Sequence, residues 1–358
     1  MADKAQPVIF AWADRHRNIA TLMVIAIHVS GPLAEQLPDM NTWEWWISNW
    51  WDATSRAAVP IFVLLSGALL LPKDYPTRTF LQKRLSKVLI PGLFWICIYL
   101  LYSHVSKHEP ANFVQALRAI VEGHVQYHLW FIYLIVGLYL VYPLLRPWAR
   151  QATDADYLYI FALCAMASWG YKILWTFWGI SIGMYWETFS NNVGYFILGC
   201  YLMQKPLQSE AAHPTLKHWR FTNEQIKWGA WALILLGSTA TAFGTYYASM
   251  YLNGGKFHKY FYDYLTPNVG AAVIGWFMLA KVSWNNRSLL LFEKEFAAAS
   301  FGIYLIHVLL MDWWSQCGYW FGIGHPGKTI PIILGLVSIT SFLMVKLIKK
   351  LPWGNRIV

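Results

Sequence analysis

Residues 17–36 read RNIATLMVIAIHVSGPLAEQ, an apolar run with no Asp, Glu, Lys or Arg between Arg17 and Glu35. A helix of about 20 apolar residues is long enough to cross the hydrocarbon core of a bilayer. The run therefore predicts a membrane-spanning helix near the start of the chain. Two ionisable side chains make this span unusual, because Arg17 begins it and His28 lies within it.

The rest of the chain has the composition of an integral membrane protein. Of its 358 residues, 57% are hydrophobic and 13% are charged, whereas a soluble domain carries about 25% charged residues. This composition excludes a disordered chain and a soluble globule. Because no polar linker divides the sequence, we expect a single transmembrane domain over residues 1–358.

Further apolar runs predict an all-α, polytopic fold with about ten transmembrane helices. The runs are centred within residues 18–36, 57–72, 88–105, 127–146, 157–178, 190–204, 228–250, 267–284, 300–320 and 330–349. The second and sixth are short, which is typical of helices that are enclosed by neighbours or partly re-entrant. An even number of spans places both termini on one side of the membrane.

The distribution of basic residues predicts that this side is the cytoplasm. With both termini inside, 21 of the 28 Lys and Arg residues fall on inner segments and seven on outer ones. Cytoplasmic segments of membrane proteins concentrate Lys and Arg. The same rule accounts for the net charge of +10, so we expect no nucleic-acid partner.

The four cysteines, Cys97, Cys164, Cys200 and Cys317, lie in or beside apolar runs and lack C-x-x-C spacing. This placement is typical of small core residues rather than of disulfides or metal ligands. We therefore expect no metal site.

Arg17 and His28 are spaced to act on one extended ligand. Eleven residues at 100° each bring both side chains to the same face of a helix, and the helical rise sets His28 about 16 Å deeper than Arg17. An ionisable group inside a span is costly and is a functional candidate, although a His satisfied by a polar neighbour is the structural alternative. Imidazole suits proton removal from a hydroxyl near neutral pH. A coenzyme A thioester would place its anionic head at Arg17 and its acyl end near His28.

The chain resembles the acyltransferase 3 family, membrane-bound O-acyltransferases that modify surface polysaccharides. The family's mark is Arg or Lys, ten residues and then His in the first span, as in Arg17 and His28. Five more segments resemble the family in the same order: AVPIFVLLSG at 58–67, FLQKRLSK at 80–87, HLWF at 128–131, GYFILG at 194–199 and GIYLIH at 302–307. The resemblance covers nearly the whole chain.

The resemblance implies an O-acetyltransferase of the bacterial inner membrane. It would move acetyl from cytoplasmic acetyl-coenzyme A to a hydroxyl of a lipid-linked or nascent surface polysaccharide, as in exopolysaccharide O-acetylation. His28 is then the general base for direct attack on the thioester, or the carrier of a covalent acetyl-imidazole relay. Another short acyl group, such as succinyl, is an alternative to acetyl. Many family members have Arg-x-x-Arg where this chain has Arg84 and Lys87.

The other candidate residues fall into two groups by depth. The acyl-coenzyme A group comprises Arg17, Lys83, Arg84, Lys87, Tyr304 and His307. Two structural alternatives apply: the basic residues follow from positive-inside topology alone, and Tyr304 and His307 form a pair that holds two helices together. The acceptor group on the outer side comprises His128, Trp130, Glu187 and Asn191. The first outer loop is rich in tryptophan, with Trp43, Trp45, Trp46, Trp50 and Trp51. Such outer tryptophans either form an interfacial belt or stack on sugar rings, and Glu187 and Asn191 either bind sugar hydroxyls or cap a helix.

A transporter or flippase is the alternative from another functional class. Its buried His and Arg would relay protons or bind an anion. The sequence contains neither an internal repeat nor the paired broken helices that mark many transporters. The ordered family segments therefore favour the acyltransferase.

Overall fold

A computed structural model describes residues 10–107, 112–181, 192–204, 221–284, 288–318 and 325–358, and these residues form helices and no strand. The helices are α1 (Ala11–Gln36), α2 (Trp43–Ser55), α3 (Ala58–Leu70), α4 (Thr77–Lys107), α5 (Phe113–Glu122), α6 (Trp130–Gln151), α7 (Asp154–Ala165), α8 (Tyr171–Trp178), α9 (Val193–Gln204), α10 (Asn223–Tyr247), α11 (Pro267–Trp284), α12 (Leu291–Gln316), α13 (Pro326–Ile348) and α14 (Gly354–Ile357).

The arrangement confirms an all-α polytopic membrane protein. Within the described ranges, nine helical segments are long and apolar enough to cross a bilayer. Two of them combine helices, because α2 runs into α3, and α7 continues through the π-helical turn Met166–Gly170 into α8. The sixth predicted span corresponds to the shorter apolar helix α9.

The first span, α1, lies at the centre of the bundle and packs against α2, α3, α11, α12 and α13. Polar contacts fix its depth relative to α12. The Arg15 guanidinium bonds the Glu293 carboxylate at 2.8 Å, and Asn18 Nδ2 donates to the Glu293 backbone oxygen at 2.9 Å. These contacts hold the start of α1 against the first turn of α12.

The short helix α9 is enclosed by its neighbours, as one of the two sequence interpretations expected. It crosses α3 at two glycines. A Cβ on Gly67 would lie 1.7 Å from the backbone oxygen of Phe196, and a Cβ on Gly199 would lie 1.9 Å from that of Leu64. Small residues allow two helix backbones to touch, so this crossing depends on both glycines.

The Trp-rich stretch that the sequence analysis treated as the first outer loop is instead helix α2. Thr42 caps it, because its hydroxyl accepts a hydrogen bond from the Trp45 amide at 3.3 Å. Trp45 is buried, and its indole N–H donates to the Ala34 oxygen at 2.9 Å, whereas Trp43 is exposed. The segment therefore contributes to the core as well as to the surface.

The two ends of the described chain meet at one end of the bundle. The indole of Trp95 on α4 donates to the Ile357 oxygen of α14 at 2.8 Å. Arg356 of α14 and Arg17 of α1 line the same cavity. Ten crossings, by the nine long segments and the shorter α9 of the described chain, would give this arrangement. That this end faces the cytoplasm stays a prediction from charge.

Candidate active site

A cavity of about 970 Å³ lies among α1, α3, α4, α6, α12 and α14. Its volume falls near the upper end of the range of small-molecule sites, about 300–1,000 Å³. The inner part, which we call the floor, is lined mainly by apolar and aromatic side chains: Val24, Phe62, Phe131, Ile135 and Tyr304. A long ligand with an apolar or neutral end fits such a shape.

The opposite part of the cavity, which we call the mouth, is strongly basic. Among the described residues that line it, the charged side chains are those of Arg17, Lys73, Arg84, Lys87, Arg356 and one acid, Asp14. Asp14 forms an ion pair with Arg17, which leaves the other four cations without an acid among the lining residues. The predicted residues Arg17, Arg84 and Lys87 are thus brought together. Lys83 is exposed and does not line the cavity.

Lys73 joins the mouth through contacts that the sequence did not indicate. Its backbone oxygen accepts a hydrogen bond from the Tyr142 hydroxyl at 2.9 Å. The next residue, Asp74, forms ion pairs with Arg150 at 2.7 Å and Arg146 at 3.0 Å. Hydrogen bonding and attraction from Arg150 hold the pKa of the Asp74 carboxyl below its ordinary value. The turn that carries Lys73 is therefore anchored to the end of α6.

Three imidazoles from separate parts of the chain meet beside the floor of the cavity. His28 on α1 and His307 on α12 have ring centroids 5.2 Å apart. His128, in the turn before α6, lies 5.2 Å from His307 and 6.4 Å from His28. We call these residues the imidazole cluster. Sequence analysis placed His307 with the donor and His128 with the acceptor, but the fold brings both to His28.

Hydrogen bonds connect the imidazole cluster to the cavity. The Tyr304 side chain lines the floor, and its hydroxyl donates to the His128 backbone oxygen. The Tyr304 backbone oxygen lies 2.7 Å from Nδ1 of His307. Within the described part of the chain, Nε2 of His307 and at least one ring nitrogen of His128 are buried without a hydrogen-bond partner, and the backbone oxygen of Leu305 lies beside the His128 ring. Since buried polar atoms are almost always paired, these nitrogens are candidates for contact with a substrate.

An exposed tyrosine also contacts the imidazole cluster. The ring centroid of Tyr127 lies 5.0 Å from that of His28 and 5.8 Å from that of His128, and Tyr127 is 54% exposed. His28 itself is only partly buried, whereas His128 and His307 are enclosed. His28 is therefore in contact with an exposed tyrosine as well as with His307 beside the floor of the cavity.

The remaining acceptor candidates have different surroundings. Trp130 stacks on Tyr264 with ring centroids 5.8 Å apart and an interplanar angle of 24°, so one face of its indole packs within the protein. Glu187 and Asn191 lie outside the described residues.

A buried ion pair that the sequence did not predict lies outward of His28. Nη2 of Arg56 donates to Oδ2 of Asp52 at 2.6 Å, and Nε lies 2.6 Å from Oδ1 as an ion-pair contact. The guanidinium also lies over the Tyr262 ring, 4.1 Å from its centroid. Asp52 and Arg56 are spaced i, i+4 on α2, a spacing that would have indicated the pair had this stretch been predicted as a helix.

Two stretches match active-site patterns of soluble enzymes, but their surroundings differ from those sites. Residues 179–183, GISIG, match the nucleophile-elbow pattern, yet they follow the end of α8 rather than a strand. Residues 322–329, GIGHPGKT, match the P-loop pattern. A P-loop follows a strand, but no strand occurs in the described part of the chain, and the Gly327 amide already donates to His325. Neither match supports hydrolase-elbow or P-loop chemistry.

Within the described ranges, no group of three His, Cys, Asp or Glu side chains is arranged to hold a metal ion.

Comparison with protein families agrees with this geometry. The model of the acyltransferase 3 family, described as an acyltransferase domain, matches residues 10–348. No curated protein and no solved structure gives a significant match to the chain. Because the family match covers nearly all of the sequence, the chain belongs to the acyltransferase 3 family and is a multi-pass membrane acyltransferase.

Proposed function

We propose that the protein moves an acetyl group from cytoplasmic acetyl-coenzyme A to a hydroxyl of a lipid-linked or nascent surface polysaccharide in the bacterial inner membrane. One observation carries this proposal. A basic mouth leads through an apolar cavity to Tyr304, which contacts the imidazole cluster, and the exposed Tyr127 contacts His28. The donor would reach His28 through the cavity, and the acceptor would approach it beside Tyr127.

The mouth supplies the charges that a phosphorylated nucleotide needs. Arg17, Lys73, Arg84, Lys87 and Arg356 would contact the phosphates of coenzyme A through charge-assisted hydrogen bonds. The pantetheine arm would follow the cavity and bring the thioester to Tyr304 at the floor. The helical rise sets His28 about 16 Å beyond Arg17, a span that an extended arm covers.

His28 acts as the general base. It removes the proton from the acceptor hydroxyl while the hydroxyl oxygen forms a bond to the acetyl carbon. The C–S bond then breaks, and the coenzyme A thiolate leaves. His128 lies within the imidazole cluster, and Trp130, Glu187 and Asn191 remain proposed contacts to the acceptor sugar on the outer side.

The test measures free thiol released by purified protein from acetyl-coenzyme A, with and without a membrane glycan extract. We expect acceptor-dependent release by the wild type and a loss of about 10²–10⁴-fold in the His28→Ala variant, the usual contribution of a general base. Binding of acetyl-coenzyme A, measured by calorimetry, should change little, because His28 lies beyond the mouth.

His16→Gln is the matched control. His16 is another buried histidine of α1 and packs on Phe277, away from the imidazole cluster. Wild-type turnover by His28→Ala would refute the base role. Substrate flux in proteoliposomes without thiol release would favour the transporter instead.

A further inference from the structure

The leaving thiolate needs a proton, and the structure offers a second imidazole for this step. Each transfer takes one proton from the acceptor hydroxyl and returns one to the sulfur of coenzyme A. His307 lies next to His28, with ring centroids 5.2 Å apart. It also lies one helical turn beyond Tyr304, on the same face of α12. His307 is thus close to both the base and the floor of the cavity.

A hydrogen bond within α12 fixes the tautomer of His307. Its Nδ1 lies 2.7 Å from the backbone oxygen of Tyr304, and a carbonyl oxygen can only accept a hydrogen bond. The neutral ring therefore carries its proton on Nδ1 and has a lone pair on Nε2. That Nε2 is buried and has no hydrogen-bond partner among the described residues. His307 is oriented to accept one proton at a defined atom.

His128 does not share this arrangement. Its ring interacts with the backbone oxygen of Leu305, which lies on α12 and not in the turn that carries His128. Its own backbone oxygen, rather than its ring, accepts the hydrogen bond from Tyr304. Of the two imidazoles beside His28, His307 is the one held by a hydrogen bond within its own helical turn.

Building on the proposed function, we infer that His307 is a second catalytic residue, the general acid that protonates the leaving thiolate. His28 takes the hydroxyl proton on one ring nitrogen and passes the proton on its other nitrogen to Nε2 of His307. The C–O bond forms as the C–S bond breaks. The His307 imidazolium then gives its Nε2 proton to sulfur, so the products are the ester and the free thiol.

Charge and protons balance over this cycle. Both imidazoles end neutral, and no proton is gained from or lost to solvent. His28 finishes in its other tautomer and resets by ring rotation or proton exchange. His307 returns to its starting tautomer, because Nδ1 keeps its proton and its hydrogen bond to Tyr304 throughout.

His307→Asn separates the chemical role from the structural one. The amide N–H₂ of Asn can donate to the Tyr304 oxygen as Nδ1 does, but Asn has no basic nitrogen in place of Nε2. We expect folding and acetyl-coenzyme A binding to match those of the wild type. Transfer from the thioester should fall by about 10²–10⁴-fold, while the His16→Gln control stays at the wild-type rate.

A change of leaving group tests whether His307 acts in the protonation of the departing thiolate. In the acetyl selenoester of coenzyme A, the departing selenolate is a much weaker base than a thiolate and leaves without a proton. We expect this donor to restore most of the activity of His307→Asn and none of that of His28→Ala. An equal loss on both donors, or unchanged transfer from the thioester, would overturn the general-acid role. If the wild type released neither thiol nor selenol with any acceptor, the proposed function itself would fail.

Discussion

Asp52 on α2 packs directly against Gly31 of α1, one helical turn beyond His28. A Cβ on Gly31 would lie 3.0 Å from Oδ2 of Asp52, and that carboxylate is fully buried and held by Arg56. The buried ion pair of α2 is therefore packed against the turn of α1 that follows His28, the proposed base. A glycine at position 31 is what allows the carboxylate to approach so closely.

Breaking the ion pair should be costly. Asp52→Asn leaves the Arg56 charge buried without its counter-charge, and loss of one partner of a buried pair costs about 3–5 kcal/mol. We expect a clearly lower melting temperature in detergent. The double variant Asp52→Asn/Arg56→Gln should recover most of the loss, since it removes both charges.

The exposed Arg118–Glu122 pair of α5 supplies a matched control, because it has the same i, i+4 spacing. Arg118→Gln should cost at most about 1 kcal/mol. Equal effects of Asp52→Asn and Arg118→Gln would contradict a buried stabilising pair.

The crossing of α3 and α9 should depend on glycine. Gly67→Ala would place a Cβ against the Phe196 backbone oxygen, so the helices must separate. Overpacking of this kind costs about 1–3 kcal/mol. Thermal unfolding followed by size-exclusion chromatography measures the effect.

Gly137→Ala on α6 is the comparison, because nothing lies within 4 Å of its added Cβ. It should be neutral or slightly stabilising, since Ala favours a helix over Gly. A Gly67→Ala variant as stable as Gly137→Ala would show that the helices do not touch there.

Two adjacent residues of α4 should contribute differently to the binding of acetyl-coenzyme A at the basic mouth. Arg84 lines the cavity, whereas Lys83 is exposed and does not. Arg84→Ala should weaken acetyl-coenzyme A binding by about 1.5–3 kcal/mol, the value of a hydrogen bond to a charged group. Calorimetry should find Lys83→Ala close to the wild type. The reverse order of effects would place the donor outside this cavity.

The two sides of His28 should be accessible from opposite faces of the membrane. Single cysteines at positions 84 and 259 would be introduced after replacement of the four native cysteines, two of which, Cys97 and Cys317, are exposed. Residue 84 lies at the mouth, and Lys259 is paired with Glu35 beyond the outer end of the span. An impermeant thiol reagent should label position 259 from outside and position 84 only in inside-out vesicles. Coenzyme A should protect position 84 alone; labelling of both positions from one face would refute the topology.

Apolar runs and the spacing of residues along a helix were sufficient to predict the fold class and part of the site. Long apolar runs predicted the spans because burial in lipid requires them, and the in-phase pair Arg17 and His28 does lie on one continuous helix. Helix α2 was missed because five tryptophans in a short stretch resembled an interfacial belt. The Thr42 cap and the Asp52–Arg56 spacing were the available signals.

The rest of the site is set by tertiary structure. Lys73 and Arg356 are far apart in sequence and become neighbours only when α14 packs on α4 and the turn after α3 is tied to α6. His128 was expected near the acceptor because it begins a span, and its contact with His307 depends on how α6 meets α12. The periodicity of residues within one helix does not indicate which residues of different helices come into contact.

The hydrogen bond between His307 and Tyr304 joins two positions of the same helical turn. An enzyme that admits one substrate from each side of a membrane must let its helices shift as the substrates come and go. A tautomer imposed by a neighbouring helix would change with every such movement. The tautomer of His307 is fixed by a hydrogen bond within its own helix. The helices can therefore move relative to one another while the proton stays on Nδ1.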